Sequence, residues 1–274
     1  MLQEGMIMNR IIVCVKPVPD PKHWDKVSMD PETKTLKREG IPNIMNPLDK
    51  HALEAALALR ESHGGEVALL SMAPPFAKTT IREGLAMGAD RAVILSDRVF
   101  SGSDSLATAE ILAAGCRWIG DFDIVLCGNQ SIDGSTAQVC SQLAEMLDLP
   151  NVMHVTGLEK SAGDNLIITQ KIENGYVKLA SGVPVVLSVR KEINKPRYTS
   201  FAGILAAESK EITMLSNKDL CVDPERIGLV GSLTKMAGLE VRKFKRKKEK
   251  LEGTIDDIVE KLVERIYQYG VIEC

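Results

Sequence analysis

Apolar runs of strand length alternate with apolar positions at helical spacing through the first half of the chain. Four of these runs have the β-branched content of buried strands, and each is followed by a helical pattern. The predicted strands cover residues 11–15, 66–72, 91–96 and 124–127. Of the four predicted helices, the first begins after Asn46 and the fourth near Ser135. The second and third cover residues 79–87 and 105–119. This order predicts an α/β fold with a doubly wound, mainly parallel sheet.

The pattern changes after Pro150. Strand-like segments follow one another without long helices, at residues 151–155, 166–172, 176–180 and 184–189. The turn Glu173-Asn174-Gly175 predicts a hairpin, so we expect an antiparallel extension of the sheet. A second, smaller hairpin is predicted early in the chain, where residues 26–29 and 35–38 flank Asp30-Pro31.

The C-terminal part of the chain carries weaker signals. A short helix is predicted at residues 204–208, and residues 210–239 lack periodicity, which favours a meandering arm. Residues 242–250 hold seven basic residues and one acidic residue, typical of either a contact for an acidic partner or a solvated linker. Residues 254–269 predict an amphipathic helix that starts at a capping box. We therefore expect an α/β domain over residues 1–232 and a C-terminal arm over residues 233–274.

Composition limits the classes of function. The chain has 274 residues with 34 basic and 37 acidic side chains, so a global basic field for nucleic acid is absent. No apolar run reaches membrane-spanning length, and residues 1–10 lack the apolar core of a signal peptide, so we expect a cytoplasmic protein without membrane insertion. The six cysteines form no CxxC pair, which argues against a disulfide framework or a metal site.

The stretch GNQSIDGSTAQV follows the fourth predicted strand and leads into a helix. Such a turn places unpaired N–H groups at the carboxyl edge of a sheet, where open α/β sheets bind nucleotides. Two interpretations remain open, a phosphate cradle or an ordinary loop whose hydroxyl groups cap the helix. Asp133 fits either a ribose ligand or a residue that fixes the turn, because a carboxylate repels a phosphate.

The chain lacks the usual signatures of catalysis by its own side chains, including GxSxG and HExxH. Any redox reaction is therefore expected to come from a bound cofactor. A stand-alone adenine-nucleotide hydrolase or sensor, and a structural partner whose nucleotide only fills a cavity, are the alternatives from other classes.

Five motifs in order give the chain a family resemblance. They are IIVCVKPVPD (residues 11–20), NPLDKHALEAAL (46–57), IREGLAMGADRAV (81–93), GNQSIDGSTAQV (128–139) and NKPRYTSFAGIL (194–205). Together they resemble the β subunit of electron transfer flavoproteins over nearly the whole chain. The resemblance implies a heterodimer with a larger α subunit that holds its own flavin.

The resemblance also implies site residues and a partner contact. The nucleotide site of the family corresponds here to Cys14, Asn46, Pro47, Leu48, Asp49, Met72, Gly128, Asn129, Gln130, Ser131, Ile132, Asp133, Gly134, Ser135, Thr136, Ala137, Gln138 and Val139. The apolar residue that anchors the subunit to a partner dehydrogenase corresponds to Phe201. Without the resemblance, Phe201 would be interpreted as a partly buried loop aromatic.

The chain is most similar to the electron-bifurcating group of this family. The stretches at residues 30–47, 96–112 and 136–139 carry that similarity, and Asp104 and Thr108 become candidate flavin or nicotinamide contacts. This group binds a second FAD that takes hydride from NADH. Electrons then pass to ferredoxin or flavodoxin, and through the α-subunit FAD to an acyl-CoA-dehydrogenase-type partner. Ordinary members hold AMP instead, which is the alternative. Ser131, Ser135 and Cys140 depart from the usual residues of the group.

Overall fold

The alternating strands and helices predicted for the first half of the chain are present. The computed structural model describes residues 10–26, 28–29, 36–37, 41–161, 165–235 and 248–270. The strands are β1 (Arg10–Cys14), β2 (Pro17–Pro19), β3 (Ser28–Met29), β4 (Leu36–Lys37), β5 (Asn43–Met45), β6 (Glu66–Met72), β7 (Arg91–Leu95), β8 (Ile124–Gly128), β9 (Asn151–Lys160), β10 (Leu166–Ile172), β11 (Gly175–Ser181), β12 (Val185–Val189) and β13 (Ile212–Leu215). The α-helices are α1 (Pro47–His63), α2 (Lys78–Met87), α3 (Ser105–Ile119), α4 (Val139–Leu147), α5 (Phe201–Ser209), α6 (Asn217–Leu220), α7 (Gly228–Gly231) and α8 (Ile255–Gln268).

Nine strands of the described residues form one sheet, in the order β11-β10-β9-β12-β8-β1-β6-β7-β13. Every pairing from β9 to β13 across the sheet is parallel. Strand β10 is antiparallel to both of its neighbours, β9 and β11. The predicted fold class, a mainly parallel sheet with an antiparallel extension, is confirmed.

Helices cover both faces of the sheet because its central strands are apolar on both sides. Ile11 and Val13 of β1 pack in one core with the apolar side chains of α1 and α2. Ile12 and Cys14 point to the opposite face and pack with α3 and α4. The doubly wound arrangement leaves the carboxyl ends of the parallel strands along one edge, where the predicted loop lies.

The structure corrects three of the sequence predictions. Helix α4 begins at Val139 rather than near Ser135, because Ser135 and Ala137 adopt left-handed backbone conformations (φ 50° and 55°) that a helix cannot contain. Helix α5 begins at Phe201 rather than at residue 204. The segment predicted as a meandering arm contains β13, which pairs with β7 and extends the sheet. The four residues of β13, ITML, lack the continuous apolar run that predicts the strand at residues 124–127.

The small early hairpin is present in its strands, since β3 and β4 pair antiparallel. Its predicted turn at Asp30-Pro31 lies outside the described residues, as does most of the basic run, residues 242–247. The chain forms two units, Met1–Gly238 and Leu239–Cys274.

Helix α8 lies in the described part of the second unit. Its predicted capping box is present: Thr254 N–H donates to Asp257 Oδ2 (2.9 Å), and Asp257 N–H donates to Thr254 Oγ1 (3.3 Å). Much of its apolar stripe is exposed, including Ile255, Val259 and Leu262. Among the described residues, no helix has the length and apolar character needed to cross a membrane.

Candidate nucleotide site

The predicted loop lies where the chain connections diverge. From β1 the chain continues to β6 on one side, and it later returns to β8 on the other side of β1. Such a switch point opens a crevice at the carboxyl ends of the two strands, and this is where doubly wound sheets bind ligands. Here the crevice is bordered by Cys14 at the end of β1, by Gly128 at the end of β8, and by the loop of residues 128–138.

Asn46 joins the loop to the first turn of α1. The side chain is 1% exposed, and its Nδ2 donates to Gln130 O (3.0 Å) and Asp49 Oδ1 (2.8 Å). Its Oδ1 accepts a hydrogen bond from Ile132 N–H at 3.2 Å. Asn46 directly precedes α1, as predicted, but its side chain accepts no hydrogen bond from an N–H group of the helix. It positions the loop instead.

Asp49 lies buried beneath this junction. Its Oδ2 accepts a hydrogen bond from Lys16 N–H at 2.7 Å. Asp49 as a whole is 6% exposed. Burial raises the pKa of the Asp49 carboxyl to about 7, although hydrogen bonds from Asn46 and Lys16 act in the opposite direction. The side chain therefore stabilises the junction of β1 and α1 from within the protein.

Gly128 is required by the close approach of α1. A Cβ atom at this position would lie 2.8 Å from the carbonyl carbon of Leu48 and 2.9 Å from Asp49 N. Real Cβ atoms do not approach backbone so closely, so only glycine allows β8 to end against the first turn of α1. Pro47 and Leu48 are thereby held next to the loop, Pro47 exposed and Leu48 partly buried.

Lys16 is a site residue that the sequence analysis missed. Its ammonium lies 2.7 Å from Asp133 Oδ1 and 3.4 Å from Ser131 Oγ, so it reaches across the loop. Asp133 Oδ1 also accepts a hydrogen bond from Gly134 N–H at 2.7 Å. Burial acts to raise the pKa of Asp133, but the charge of Lys16 holds it below its usual value. The available signal was a lysine directly after an apolar strand, two residues beyond Cys14.

The second half of the loop presents backbone donors. Ser135 N–H donates to Ser131 O (3.0 Å), whereas the N–H groups of Thr136, Ala137 and Gln138 have no acceptor among the described residues. Ser135 and Ala137 are the two left-handed residues noted above, and left-handed backbone turns successive N–H groups toward a common side. Such strain costs about 1–3 kcal/mol for each residue and is concentrated at functional sites. Alternating left-handed residues are typical of backbone turns that bind anions, and here they lead into the N-terminus of α4.

Three thiols lie behind the loop. Cys14 and Cys127 are paired in register on β1 and β8, and Cys140 lies in the first turn of α4. Hydrogen bonding with Cys127 and burial both raise the pKa of the Cys140 thiol, so it remains protonated. Cys14 is buried in the same core, so it forms part of the packed floor of the crevice. Met72, at the end of β6, packs against the same core.

Asp104 and Thr108 lie at the N-terminus of α3. Asp104 Oδ1 caps that helix by accepting from Leu106 N–H and Ala107 N–H, both at 3.0 Å. Its Oδ2 accepts from Thr234 N–H and Oγ1, both at 2.9 Å. Both carboxylate oxygens of Asp104 therefore already accept hydrogen bonds from within the protein. Ser105 Oγ donates to Gln138 Oε1 at 3.3 Å, which brings this helix end to the last residue of the loop.

The donor set fits the phosphates of an adenine nucleotide. Backbone N–H groups, the hydroxyls of Ser131, Ser135 and Thr136, and the Lys16 ammonium all favour an anion. The exposed face of the loop carries no His or Cys side chain that could serve as nucleophile or base. The site thus offers donors that can bind and orient a phosphate group.

The segment before Phe201 is held by residues of α1 that lie beyond the first turn, which contacts the loop. Arg197 forms ion pairs with Glu54 (Nε to Oε2, 2.9 Å) and with Glu61, while Asn194 Nδ2 donates to His51 O at 2.9 Å. Phe201 itself is 77% exposed, which excludes the interpretation of a partly buried aromatic. Ser200 caps α5 by accepting from Gly203 N–H at 3.0 Å.

The fold defines a domain of the doubly wound α/β class, with a candidate nucleotide site at its switch point. A family model, the electron transfer flavoprotein domain, matches residues 33–220. The electron transfer flavoprotein subunit beta of Thermoanaerobacterium thermosaccharolyticum is 46% identical over 263 residues, which cover 96% of this chain and 99% of that protein. The subunit beta of Clostridium acetobutylicum is 43% identical over 261 residues, with 94% and 99% covered.

A further relative is named for a larger complex. CarD, a subunit of the caffeyl-CoA reductase-Etf complex of Acetobacterium woodii, is 41% identical over 265 residues, covering 96% of this chain and all of that protein (100%). The chain therefore belongs to the electron transfer flavoprotein family as a β subunit, and its function is electron transfer. The resemblance predicted from the five motifs is confirmed.

Proposed function

We propose that this chain is the β subunit of an electron-bifurcating flavoprotein complex and that it binds FAD in the crevice between β1 and β8. The observation that carries the proposal is the row of N–H groups at residues 136–138, which have no hydrogen-bond acceptor among the described residues and lie next to the switch point of the sheet. A pyrophosphate is the part of FAD that such a row fits. AMP would use the same contacts and is the alternative ligand.

The chain's own residues bind and orient the nucleotide. Asn46 holds the loop against α1, and the backbone at residues 136–138 donates to phosphate oxygens. Burial of the floor by Cys14 and Met72 keeps water from the back of the crevice. When bound, the flavin supplies hydride acceptance from NADH and divides two electrons between ferredoxin or flavodoxin and the FAD of the α subunit.

The proposed partners are an α subunit and a flavoenzyme of the acyl-CoA-dehydrogenase type. Two relatives support the second partner by their names, CarD of the caffeyl-CoA reductase-Etf complex and the acryloyl-CoA reductase electron transfer subunit gamma of Anaerotignum propionicum, 38% identical over 270 residues. The exposed Phe201 is the proposed contact for this flavoenzyme. The C-terminal arm, including the exposed stripe of α8, is the proposed contact for the α subunit.

The test is the nucleotide content of the purified αβ complex. Two FAD molecules for each heterodimer, with one bleached by NADH, support the proposal. One FAD together with one AMP overturns it and selects the ordinary, non-bifurcating carrier. A purely structural role predicts no response of a β-subunit flavin to NADH, and a hydrolase predicts release of nucleotide products by the chain alone.

A matched pair of glycine variants assigns the nucleotide to this crevice. Gly128→Ala drives a Cβ into the backbone of α1 and should remove the β-subunit nucleotide. Gly182→Ala is the control, because the nearest atom to its added Cβ is 4.0 Å away. The α-subunit flavin of each variant reports that the complex has assembled. Retention of both nucleotides in Gly128→Ala would place the ligand elsewhere.

A further inference from the structure

We propose that Lys16 is the phosphate-recognising cation of this site, with its ammonium donating to a phosphate of the bound adenine nucleotide. This inference rests on the proposed nucleotide site and assigns to one side chain the charge that the ligand requires. Lys16 lies within the first of the five family motifs, but it is not among the site residues that the resemblance implies.

The backbone of Lys16 is fixed at the junction of three segments. Its N–H donates to Asp49 Oδ2 at 2.7 Å, and its carbonyl accepts from Asn46 N–H at 2.9 Å. The first turn of α1 therefore determines where the Lys16 side chain begins. That side chain then extends over the loop to Asp133 and Ser131, so one residue connects β1, α1 and the loop.

The ammonium of Lys16 keeps donor capacity toward the open side of the loop. Its group has three N–H donors, and its side chain remains 44% exposed, whereas that of Asp133 is 9% exposed. In the part of the chain that the structure describes, no other lysine or arginine hydrogen-bonds to residues 128–138. Among the described residues, Lys16 is thus the cation that reaches the loop and could meet a phosphate there.

Asp133 explains why that charge is needed. A buried carboxylate in the loop repels a phosphate, and the Lys16 ammonium neutralises it at 2.7 Å. A charge-assisted hydrogen bond from lysine to phosphate then adds to the donations from the backbone. Removing the ammonium should thus weaken binding for two reasons, because it takes away a donor to the phosphate and the positive charge 2.7 Å from Asp133.

The test compares ligands with and without a phosphate. Binding of AMP and of adenosine is measured by titration calorimetry on the nucleotide-stripped αβ complex, for the wild type and for Lys16→Met and Lys16→Arg. Lys16→Met should weaken AMP binding about 10- to 100-fold, with adenosine changed by less than about threefold, and Lys16→Arg should recover most of the loss. Lys50→Met is the matched control, since its ammonium pairs with Glu83 at 2.6 Å rather than with the loop.

The outcomes separate this inference from the proposed function. Equal losses of AMP and adenosine affinity, or no loss, overturn the assignment of Lys16 while leaving the nucleotide site intact. A wild-type complex that binds neither ligand overturns both proposals. Asp133→Asn provides a second variant: it removes the competing carboxylate, so the ratio of AMP to adenosine affinity should rise, and a fall in that ratio contradicts the inference.

Discussion

Arg197 and Glu54 form a two-point ion pair, with Nε to Oε2 and Nη2 to Oε1 distances of 2.9 Å each. The backbone N–H of Arg197 also donates to Glu54 Oε2 at 2.9 Å. Glu54 lies on α1, whose first turn is joined to the nucleotide loop through Asn46. One helix therefore holds both the loop and the segment that leads to Phe201.

Arg197→Ala should release the segment that precedes α5. The variant loses a bidentate pair and leaves Glu54, with a side chain 13% exposed, without its cation. We expect a loss of about 1.5–3 kcal/mol in the free energy of unfolding, the range for hydrogen bonds to charged groups. Urea unfolding of the complex measures it, and limited proteolysis should cut the segment faster. Arg197→Lys cannot form the two-point ion pair. Its stability and its rate of proteolysis should therefore lie between those of the wild type and of Arg197→Ala. Unchanged proteolysis would contradict the expected release.

Phe201→Ala should slow electron delivery to the proposed partner flavoenzyme. Because the side chain is 77% exposed, its removal should change unfolding free energy by less than about 0.5 kcal/mol and leave nucleotide content intact. Steady-state transfer at several partner concentrations separates weaker docking from slower chemistry. Phe201→Leu, which keeps an apolar side chain, is the control and should retain most of the rate. Equal rates for Ala and wild type would remove Phe201 from the interface.

Asn46→Ala should detach the loop from α1. The change leaves Gln130 O and Ile132 N–H without their side-chain partner in a largely buried position. Each such group costs about 1–3 kcal/mol, so both stability and nucleotide affinity should fall. Calorimetric titration with AMP and urea unfolding measure the two effects. His51→Ala serves as a comparison, because it alters α1 near Asn194 and not at the loop. An Asn46→Ala variant with wild-type affinity would contradict the positioning role.

Asp49 should make stability fall as pH rises. Its folded pKa, about 7, lies above the value of 3.8 expected when unfolded, so the folded state binds the proton more tightly between these values. The favourable contribution is complete below pH 4 and is lost as pH rises through 7, at no more than about 1.4 kcal/mol per unit. Unfolding free energies of the wild type and Asp49→Asn, compared from pH 5 to pH 8, should differ in slope. Parallel curves would contradict the raised pKa.

The fold was predictable wherever periodicity was long enough. The strand at residues 66–72 and the helix at residues 105–119 agree with β6 and α3 at both ends, because each has a continuous apolar pattern and a clear stop. Strand β13 could not be predicted in the same way. It depends on pairing with β7, a contact between distant parts of the chain that four residues of sequence do not encode.

The site was predictable in position but not in conformation. A strand followed by a polar turn is sufficient to place the loop at the sheet edge. The left-handed backbone of Ser135 and Ala137 was not predictable, because neither residue type favours it. The sequence pattern therefore predicts too early a start for α4. Lys16 was missed for a related reason. Its relation to Asp133 spans 117 positions and arises only when β1 and β8 are neighbours.

Strand β12 leaves the ribosome well after the loop it borders. It pairs with β8, and Val189 O accepts the N–H of Asn129 at 2.9 Å, so the edge of the crevice is completed by a strand inserted between β8 and β9 late in synthesis. Until then the nascent chain exposes an apolar strand edge, a state prone to aggregation. A nucleotide that binds in this crevice would therefore meet a complete edge only after residue 189 has been synthesised and β12 has been inserted.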